Sequence, residues 1–360
     1  MEEGAKTKKL LWIGAAVIVL AAVFWLGTGW ASSYYAEQGR TALNSGNFGE
    51  AKTLLERALF FNSSNAVAHA RLGRALLGER FSDRWPNFPD ADFNEAIKHY
   101  EKSFALNLKE KNLPLYRQAV EDAAQAYWAV DERDKAIETY LEKIAVDPSG
   151  SFWTRYLVAR DYFDRSNKPE EAFNILLSTI SLASDDLQRK KLAEIYATLA
   201  RIAFYFDDFN KLESYAIQAI DADPERQDPQ ALTTAHALVA LAKGRKKDFA
   251  AVEKEIDQAR QLGNLGRTTS LECTRARAYY LGENYGQALN IVPTVKKPKK
   301  PSFFYSICLS TLANSHFALG NATEAKRYFQ EYLAYTDAFQ EKNIFVIRDR
   351  EKFQKELRNP

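Results

Sequence analysis

Cysteine is nearly absent: Cys273 and Cys308 are the two in 360 residues. That excludes a disulfide-framework fold and a zinc or iron–sulfur centre built from cysteine. Histidine is scarce too, at four residues, so no metal site and no cofactor are expected. Sixteen glycines and eleven prolines are too few for an all-β sandwich that turns about every ten residues. No charge of one sign dominates, since 49 Lys and Arg face 47 Asp and Glu. A nucleic-acid-binding field and an acidic disordered tail are therefore excluded. Gly-rich phosphate loop, GxSxG elbow and HExxH are all missing, so the chain is not expected to be an enzyme or to take a small-molecule substrate. What is abundant is apolar surface: 46% of residues are hydrophobic and 13% aromatic, enough for a core. A chain of this length calls for two domains or one elongated array.

From Leu10 to Ala36 there is no charged residue. Residues 10–30 as a helix would span about 31 Å, the thickness of a bilayer's hydrocarbon core. Their ten Leu, Ile, Val and Phe side chains favour insertion by about 3–6 kcal/mol. Trp12 and Trp30 stand at the two ends, and Lys6, Lys8 and Lys9 precede the stretch, partly offset by Glu2 and Glu3. The positive-inside rule then leaves residues 1–9 as a short cytoplasmic tail and sends the rest across. A cleaved signal peptide is the competing reading, with Gly29 and Ala31 as small residues for a peptidase, but its apolar part normally runs about 7–15 residues. A helix buried in a soluble core is rarely apolar all round. The expectation is a retained anchor.

Beyond residue 32 one phrase returns. GNFGEAKTLLERAL at 46–59 is echoed by DFNEAIKHYEKSF at 92–104, DKAIETYLEKIAVDP at 134–148, DFNKLESYAIQAIDADP at 208–224 and ATEAKRYFQEYL at 322–333. Aligning all copies gives a small or apolar residue at Ala51, Ala96, Ala136, Ala172, Leu212, Val252, Ala288 and Ala325. An aromatic precedes it by three in Phe48, Phe93, Phe209, Phe249 and Tyr285, and a larger residue follows by four in Leu55, Tyr100, Tyr140, Leu176, Ile256 and Phe329. One helical turn brings these onto one face. About twelve residues earlier stands another small residue, as at Gly39, Ala124, Ala200, Ala240 and Ala313, with Gly73 matching if the insertion in the second repeat is skipped. Small residues at both places let two helices cross closely.

This pattern resembles the tetratricopeptide repeat (TPR) family over residues 32–335. The resemblance implies an all-α, TPR-like α-solenoid of about eight helix-turn-helix repeats behind one N-terminal transmembrane helix. The usual spacing here, 36–40, exceeds the family's 34 or so, and the closing proline appears only at Pro148 and Pro224. Residues 336–360 are amphipathic and heavily charged, and read as a capping helix. His69, His99, His236 and His316, assigned to different repeats, are expected far apart. Cys273 and Cys308 fall near equivalent positions of neighbouring first helices. A bridge needs Cα atoms within about 7 Å, and helix axes usually lie about 8–10 Å apart, which weighs against one.

The resemblance further implies a groove lined by the first helix of each repeat, holding partner proteins. One groove position carries Arg40, Arg74, Gln125, Asp161, Arg201 and Arg277; three residues on come Leu43, Leu77, Trp128, Phe204, Tyr280 and Phe317. Arginine beside aromatics is the composition of binding hot spots. The bland alternative is that the aromatics pack between repeats and the arginines are solvated. The loop 78–92 inside the second repeat carries Trp85 and Phe88, which either contact a partner or fold back. VKKPKKP at 295–301 reads as a solvated linker. The resulting expectation is a periplasmic scaffold tied to a bacterial inner membrane by residues 10–30, assisting assembly of other envelope proteins. The alternative is a permanent subunit of one large membrane, motility or secretion complex, bound through its convex face and the 78–92 loop.

Overall fold

Three residues join the two helices of most hairpins. In the computed structural model, which describes residues 27–78, 92–262, 268–298, 302–337 and 344–358, helix α1 (27–44) meets α2 (Phe48–Phe61) through Ser45, Gly46 and Asn47. Gly46 is left-handed, at φ 79°. Its N–H donates to the Leu43 carbonyl, and that of Asn47 donates to the Ala42 carbonyl. The last carbonyls of α1 are thereby satisfied while Asn47 already opens α2. The same device recurs at Asp131, Asp207, Lys247, Glu283 and Gly320, with φ of 63°, 56°, 62°, 62° and 76°. The next residue then caps the following helix. The Asp208, Asp248 and Asn284 side chains accept from the backbone N–H of Lys211, Ala251 and Gln287.

Eight hairpins follow in order among the described residues, and no strand is found there. The chain divides into two compact units, 1–151 and 152–360. Unit 1 holds α1/α2, α3 (Ala66–Leu77) with α4 (Phe93–Ala105), and α6 (Leu113–Ala129) with α7 (Arg133–Val146); the one-turn α5 (Leu108–Lys111) precedes α6. Unit 2 begins with α8 (Phe152–Asp164) and α9 (Pro169–Ile180), then α10 (Asp186–Tyr205) and α11 (Phe209–Asp221). It continues with α12 (Pro229–Arg245) and α13 (Phe249–Gln261), α14 (Thr268–Leu281) and α15 (Tyr285–Ile291), and α16 (Phe303–Ala318) and α17 (Ala322–Asp337). Helix α18 (Ile344–Arg358) comes last.

The recurring small positions are the core. Ala51, Ala96, Ala136, Ala172, Leu212, Val252, Ala288 and Ala325 are at most 1% exposed. The larger residue one turn on fills the space left by the small residue of the partner helix. A Cβ added at Gly39 would lie 2.6 Å from Leu55, and one at Gly73 would lie 2.8 Å from the Tyr100 ring. Each such large side chain, fully buried, contributes about 1.5–3 kcal/mol, which no isolated hairpin obtains on both faces.

Two expectations are overturned. Cys273 and Cys308 form a disulfide between α14 and α16, with Cα atoms 4.7 Å apart. The usual interaxial distance belongs to contacts between larger side chains. Here α16 presents buried Ser310, Thr311, Ala313 and Ser315, and α14 presents Thr274 and Ala276, so the backbones approach closely. His69 and His99, expected in separate repeats, lie on α3 and α4 of one hairpin, their Nδ1 atoms 2.8 Å apart. Burial lowers both pKa values. His236 pairs with Glu255 at 2.7 Å, and His316 stacks on Tyr328.

Among the described residues no helix is long and apolar enough to cross a membrane. Residues 10–26 of the expected span lie outside the described residues, as do Trp85 and Phe88 of the 78–92 loop and the end of the 295–301 run.

Candidate functional site

In unit 2 the first helices of successive hairpins present one continuous face. On α12 that face holds Thr233, Ala237 and Leu241, spaced by one turn. Ser270, Thr274 and Arg277 continue it on α14, and Phe303, Ile307 and Ser310 on α16. Arg201 and Phe204 of α10 border it. Together they wall a cavity of about 120 Å³. The remaining wall is α18, through Phe345, Arg348 and Asp349.

Helix α18 is seated by two anchors. Near its C-terminal end Phe353 is 0% exposed, its ring 4.4 Å from Phe329 and 5.0 Å from Tyr332 on α17. Lys352 Nζ donates to Asn314 Oδ1 at 2.9 Å, and Arg350 Nη1 donates to Thr336 Oγ1 at 2.8 Å. At the other end Phe345 enters a box of four aromatic rings. Phe163, Phe204 and Tyr205 each lie 5.8 Å from it, and Phe303 lies 6.1 Å away. Arg348 Nη1 donates to the Tyr205 carbonyl at 2.7 Å.

The arginines around this cavity differ in how they are held. Arg201 Nη2 donates to Asp164 Oδ1 at 2.8 Å, and its guanidinium covers the Phe163 ring at 4.9 Å. Arg277 covers the Tyr280 ring at 4.9 Å, and its Nη1 is buried with no hydrogen-bond partner. Tyr332, behind it, has its phenol pKa raised, chiefly by burial.

Unit 1 has a second and more polar cavity, of about 400 Å³, walled by Arg40, Leu43, Arg71, Arg74, Gln118 and Asp122 among others. Arg74 Nη1 donates to Asp122 Oδ1 at 3.1 Å, and the buried Tyr100 hydroxyl donates to Asp122 Oδ2 at 3.3 Å. Arg71 donates to the Ala36 carbonyl at 2.8 Å and to Glu37 Oε2 at 3.3 Å. Arg40 also pairs with Glu37. Burial pushes the Asp122 carboxyl up to about 6, with Arg74 opposing. A carboxyl whose folded pKa lies above its unfolded value favours folding at low pH, and that contribution fades as pH rises through the folded value. Wild type measured against Asp122→Asn is therefore expected to lose on the order of 2 kcal/mol between pH 4 and pH 7. Urea midpoints of both proteins across that range check it; parallel curves would refute it.

The other residues singled out in the sequence lie elsewhere. Trp128 packs against Tyr140 and carries the Arg133 guanidinium 5.2 Å above its ring. Tyr280 lies against Tyr285, and Phe317 is 56% exposed beside Phe329. Leu77 is core. Buried Asp161 accepts from Ser166 Oγ at 2.8 Å and holds the α8/α9 turn. Phe345 and Arg348 were missed. Their signal was the spacing Phe345, Arg348, Lys352, Phe353, one face of a helix. Among the described residues no group of three or more His, Cys, Asp or Glu is placed to hold a metal ion.

The repeated unit is thus a pair of helices joined by a tight turn, with small residues at the crossing. The array is TPR-like. Solved structures similar to it include MamA from Desulfovibrio magneticus RS-1, at 15% identity over 55% of this chain and 97% of that one, TM-score 0.39. The C-terminal part of a TPR repeat-containing protein from Cytophaga hutchinsonii aligns at 11% identity over 87% and 98%, TM-score 0.40. The apo form of the quorum sensor NprR from B. thuringiensis aligns at 14% over 85% and 87%, TM-score 0.46. No protein-family profile matches the sequence, and no curated protein does.

Proposed function

We propose that the chain is a membrane-anchored, periplasmic scaffold that holds other envelope proteins on the first-helix faces of its hairpins and assists assembly of a multiprotein complex. The observation that carries this reading is the pair of cavities on those faces, each walled by arginines, with aromatic side chains concentrated in unit 2. Arginine and aromatic side chains supply most binding energy at protein interfaces, through forked donors and large rigid contact area.

Two further observations support the anchoring and the compartment. Trp30, Tyr34 and Phe60 are 71%, 49% and 84% exposed; Trp30 ends the apolar stretch of residues 10–30 and Tyr34 follows it by one turn. Exposed aromatics beside a span belong at the level of lipid headgroups. The Cys273–Cys308 bridge suits an oxidising compartment. Periplasmic residence predicts that both thiols resist alkylation in acid-quenched, denatured cell samples until reductant is added.

Arg277→Glu tests the binding face. Its Nη1 has no hydrogen-bond partner to lose, so the array should melt within a few degrees of wild type. Recovery of co-purifying proteins from native membranes is expected to fall at least tenfold for those bound on unit 2. Undiminished recovery of every partner would reject the face as the binding surface.

A further inference from the structure

The binding face of unit 2 is already partly occupied by this chain's own helix. Phe345 is 8% exposed inside the box formed by Phe163, Phe204, Tyr205 and Phe303, which come from α8, α10 and α16. Three of those residues lie on first helices that are separate in sequence, and Tyr205 ends one of them. The box therefore exists only because hairpins stack, and it accepts one planar ring. Beside it lies the cavity bordered by Arg201, Arg277 and Arg348. Arg201 and Arg348 have acceptors in Asp164 and the Tyr205 carbonyl, whereas Arg277 Nη1 is buried without one. Helix α18 fills the aromatic half of this surface and leaves the charged half incomplete.

We infer that α18 is a resident occupant of a receptor site for amphipathic helices, and that a partner helix displaces its N-terminal half. The partner presents an aromatic residue that replaces Phe345 and, about one turn on, a carboxylate that reaches Arg277. This rests on the reading of the first-helix face as a protein-binding surface, and it names the chemistry of what binds there. Both halves of the argument are on the same helix. The aromatic anchor is read from Phe345, whose ring sits where a helical ligand would place one. The acidic residue is read from the guanidinium nitrogen that α18 does not satisfy. Asp349 of α18 borders the same cavity, so a carboxylate at that turn is sterically accommodated.

Tethering makes the competition measurable. A segment joined to its site by a short connection acts at a local concentration on the order of millimolar, so a free ligand meets a strong internal competitor. The C-terminal anchor, Phe353 at 0% exposure, keeps α18 attached when its N-terminal half leaves. Release of residues 344–349 therefore need not uncap the last hairpin.

The test uses full-length protein in detergent and a fluorescent synthetic peptide of residues 344–358. Phe345→Ala with Arg348→Ala weakens the internal occupant. Peptide affinity for that variant is expected to exceed affinity for wild type at least tenfold. A peptide carrying Phe345→Ala should bind the variant at least tenfold more weakly than the unaltered peptide. Asp349 borders the cavity without pairing with Arg277, so a peptide with Arg348→Glu, which adds a carboxylate one residue nearer the aromatic anchor, should bind it more tightly than one with Arg348→Ala, and Arg277→Ala in the protein should abolish that difference. Equal affinity of wild type and variant, or no binding by a variant whose helical signal and melting match wild type, overturns the inference. If the variant does not fold, hydrogen exchange on wild type decides. Excess peptide should accelerate exchange at residues 345–349 and leave α12 unchanged; no acceleration overturns the inference. These assays contain no cellular partner, so their outcome is separable from that of co-purification.

Discussion

Gly244→Val is expected to destabilise unit 2 by about 3 kcal/mol, and Gly244→Ala to destabilise it as well. In an exposed helix interior, glycine to alanine would instead stabilise by about 1 kcal/mol, because glycine loses the most backbone entropy on ordering. The sign reverses here because of what the new methyl group meets. A Cβ on Gly244 would lie 2.3 Å from the Ala278 carbonyl oxygen and 2.7 Å from its carbonyl carbon. Both atoms are backbone of α14, so no rotamer change relieves the overlap, and the two helices must move apart. The reciprocal contact is equally tight, since a Cβ on Gly282 would lie 2.5 Å from the Gly244 carbonyl oxygen. Separating α12 from α14 also loosens the stacking of Phe249 on Tyr279, whose rings lie 4.8 Å apart and almost parallel. Gly286 is the control. It lies on α15 with nothing within 4 Å of its added Cβ, so Gly286→Ala should be neutral or stabilising by a few tenths of a kcal/mol. Urea denaturation of the three variants measures the differences. A Gly244→Ala protein more stable than wild type would show that the α12–α14 approach is not as close as described.

The hairpins were legible because their packing rule is local and repeated. Ala51 and its equivalents recur with a larger residue one turn on, and Gly39 and Gly73 stand where Leu55 and Tyr100 need room. Each of those statements can be read from residue types at fixed spacing. The turns were not legible in the same way. Asp131, Asp207, Lys247 and Glu283 adopt the left-handed conformation without being glycine, so the usual sign of a helix end is missing from the sequence. The capping geometry around them supports a conformation that local preference would not choose. The separation of His69 from His99 failed for a different reason. Both belong to the second hairpin, His69 on α3 and His99 on α4, so the 78–92 insertion lengthens the chain between them without parting the two helices.

The site was legible by halves. Register put Arg40, Arg74, Arg201 and Arg277 at one groove position, with Phe204 at the position three residues on; Arg40 and Arg74 border the cavity of unit 1, and Arg201, Phe204 and Arg277 border that of unit 2. The step of three residues that added Trp128, Tyr280 and Phe317 reaches the last turn of each first helix. At that point the side chain lies beside the hairpin turn and packs on the second helix, as Trp128 does on Tyr140 and Phe317 on Phe329. Phe204 packs on Phe209 of its second helix in the same way, and differs only in that Phe345 arrives from outside the repeat to meet its other side. Periodicity shows that α18 has one apolar face, but not where that face lies, since nothing in the repeat encodes it.

Opening the Cys273–Cys308 bridge is expected to cost unit 2 about 3–4 kcal/mol. The two residues are 35 apart, and closing a loop of that length removes this much chain entropy, expressed as free energy at 25 °C, from the unfolded state. The bridge ties α14 to α16, the first helices of the last two hairpins, and both thiols' positions are fully buried. Stability in a stacked array is close to additive, so the loss should concentrate in those hairpins and in α18, which rests on α16 and α17. Hydrogen exchange should therefore show the largest loss of protection in α14, α16 and α18, and little change in α10. Cys273→Ala with Cys308→Ala is the preferred variant, because serine would add two buried hydroxyls that need partners. The double variant and wild type treated with reductant should show the same lowered urea midpoint. A further reductant-induced fall in the double variant would mean that reductant acts elsewhere. An unchanged midpoint for reduced wild type would remove the bridge as a stabilising link. The consequence for function runs through α18. A reduced chain has a looser seat for Phe353, so the same treatment should raise peptide access to the Phe345 box, and affinity for the residue 344–358 peptide should rise in step with the loss of protection at α16.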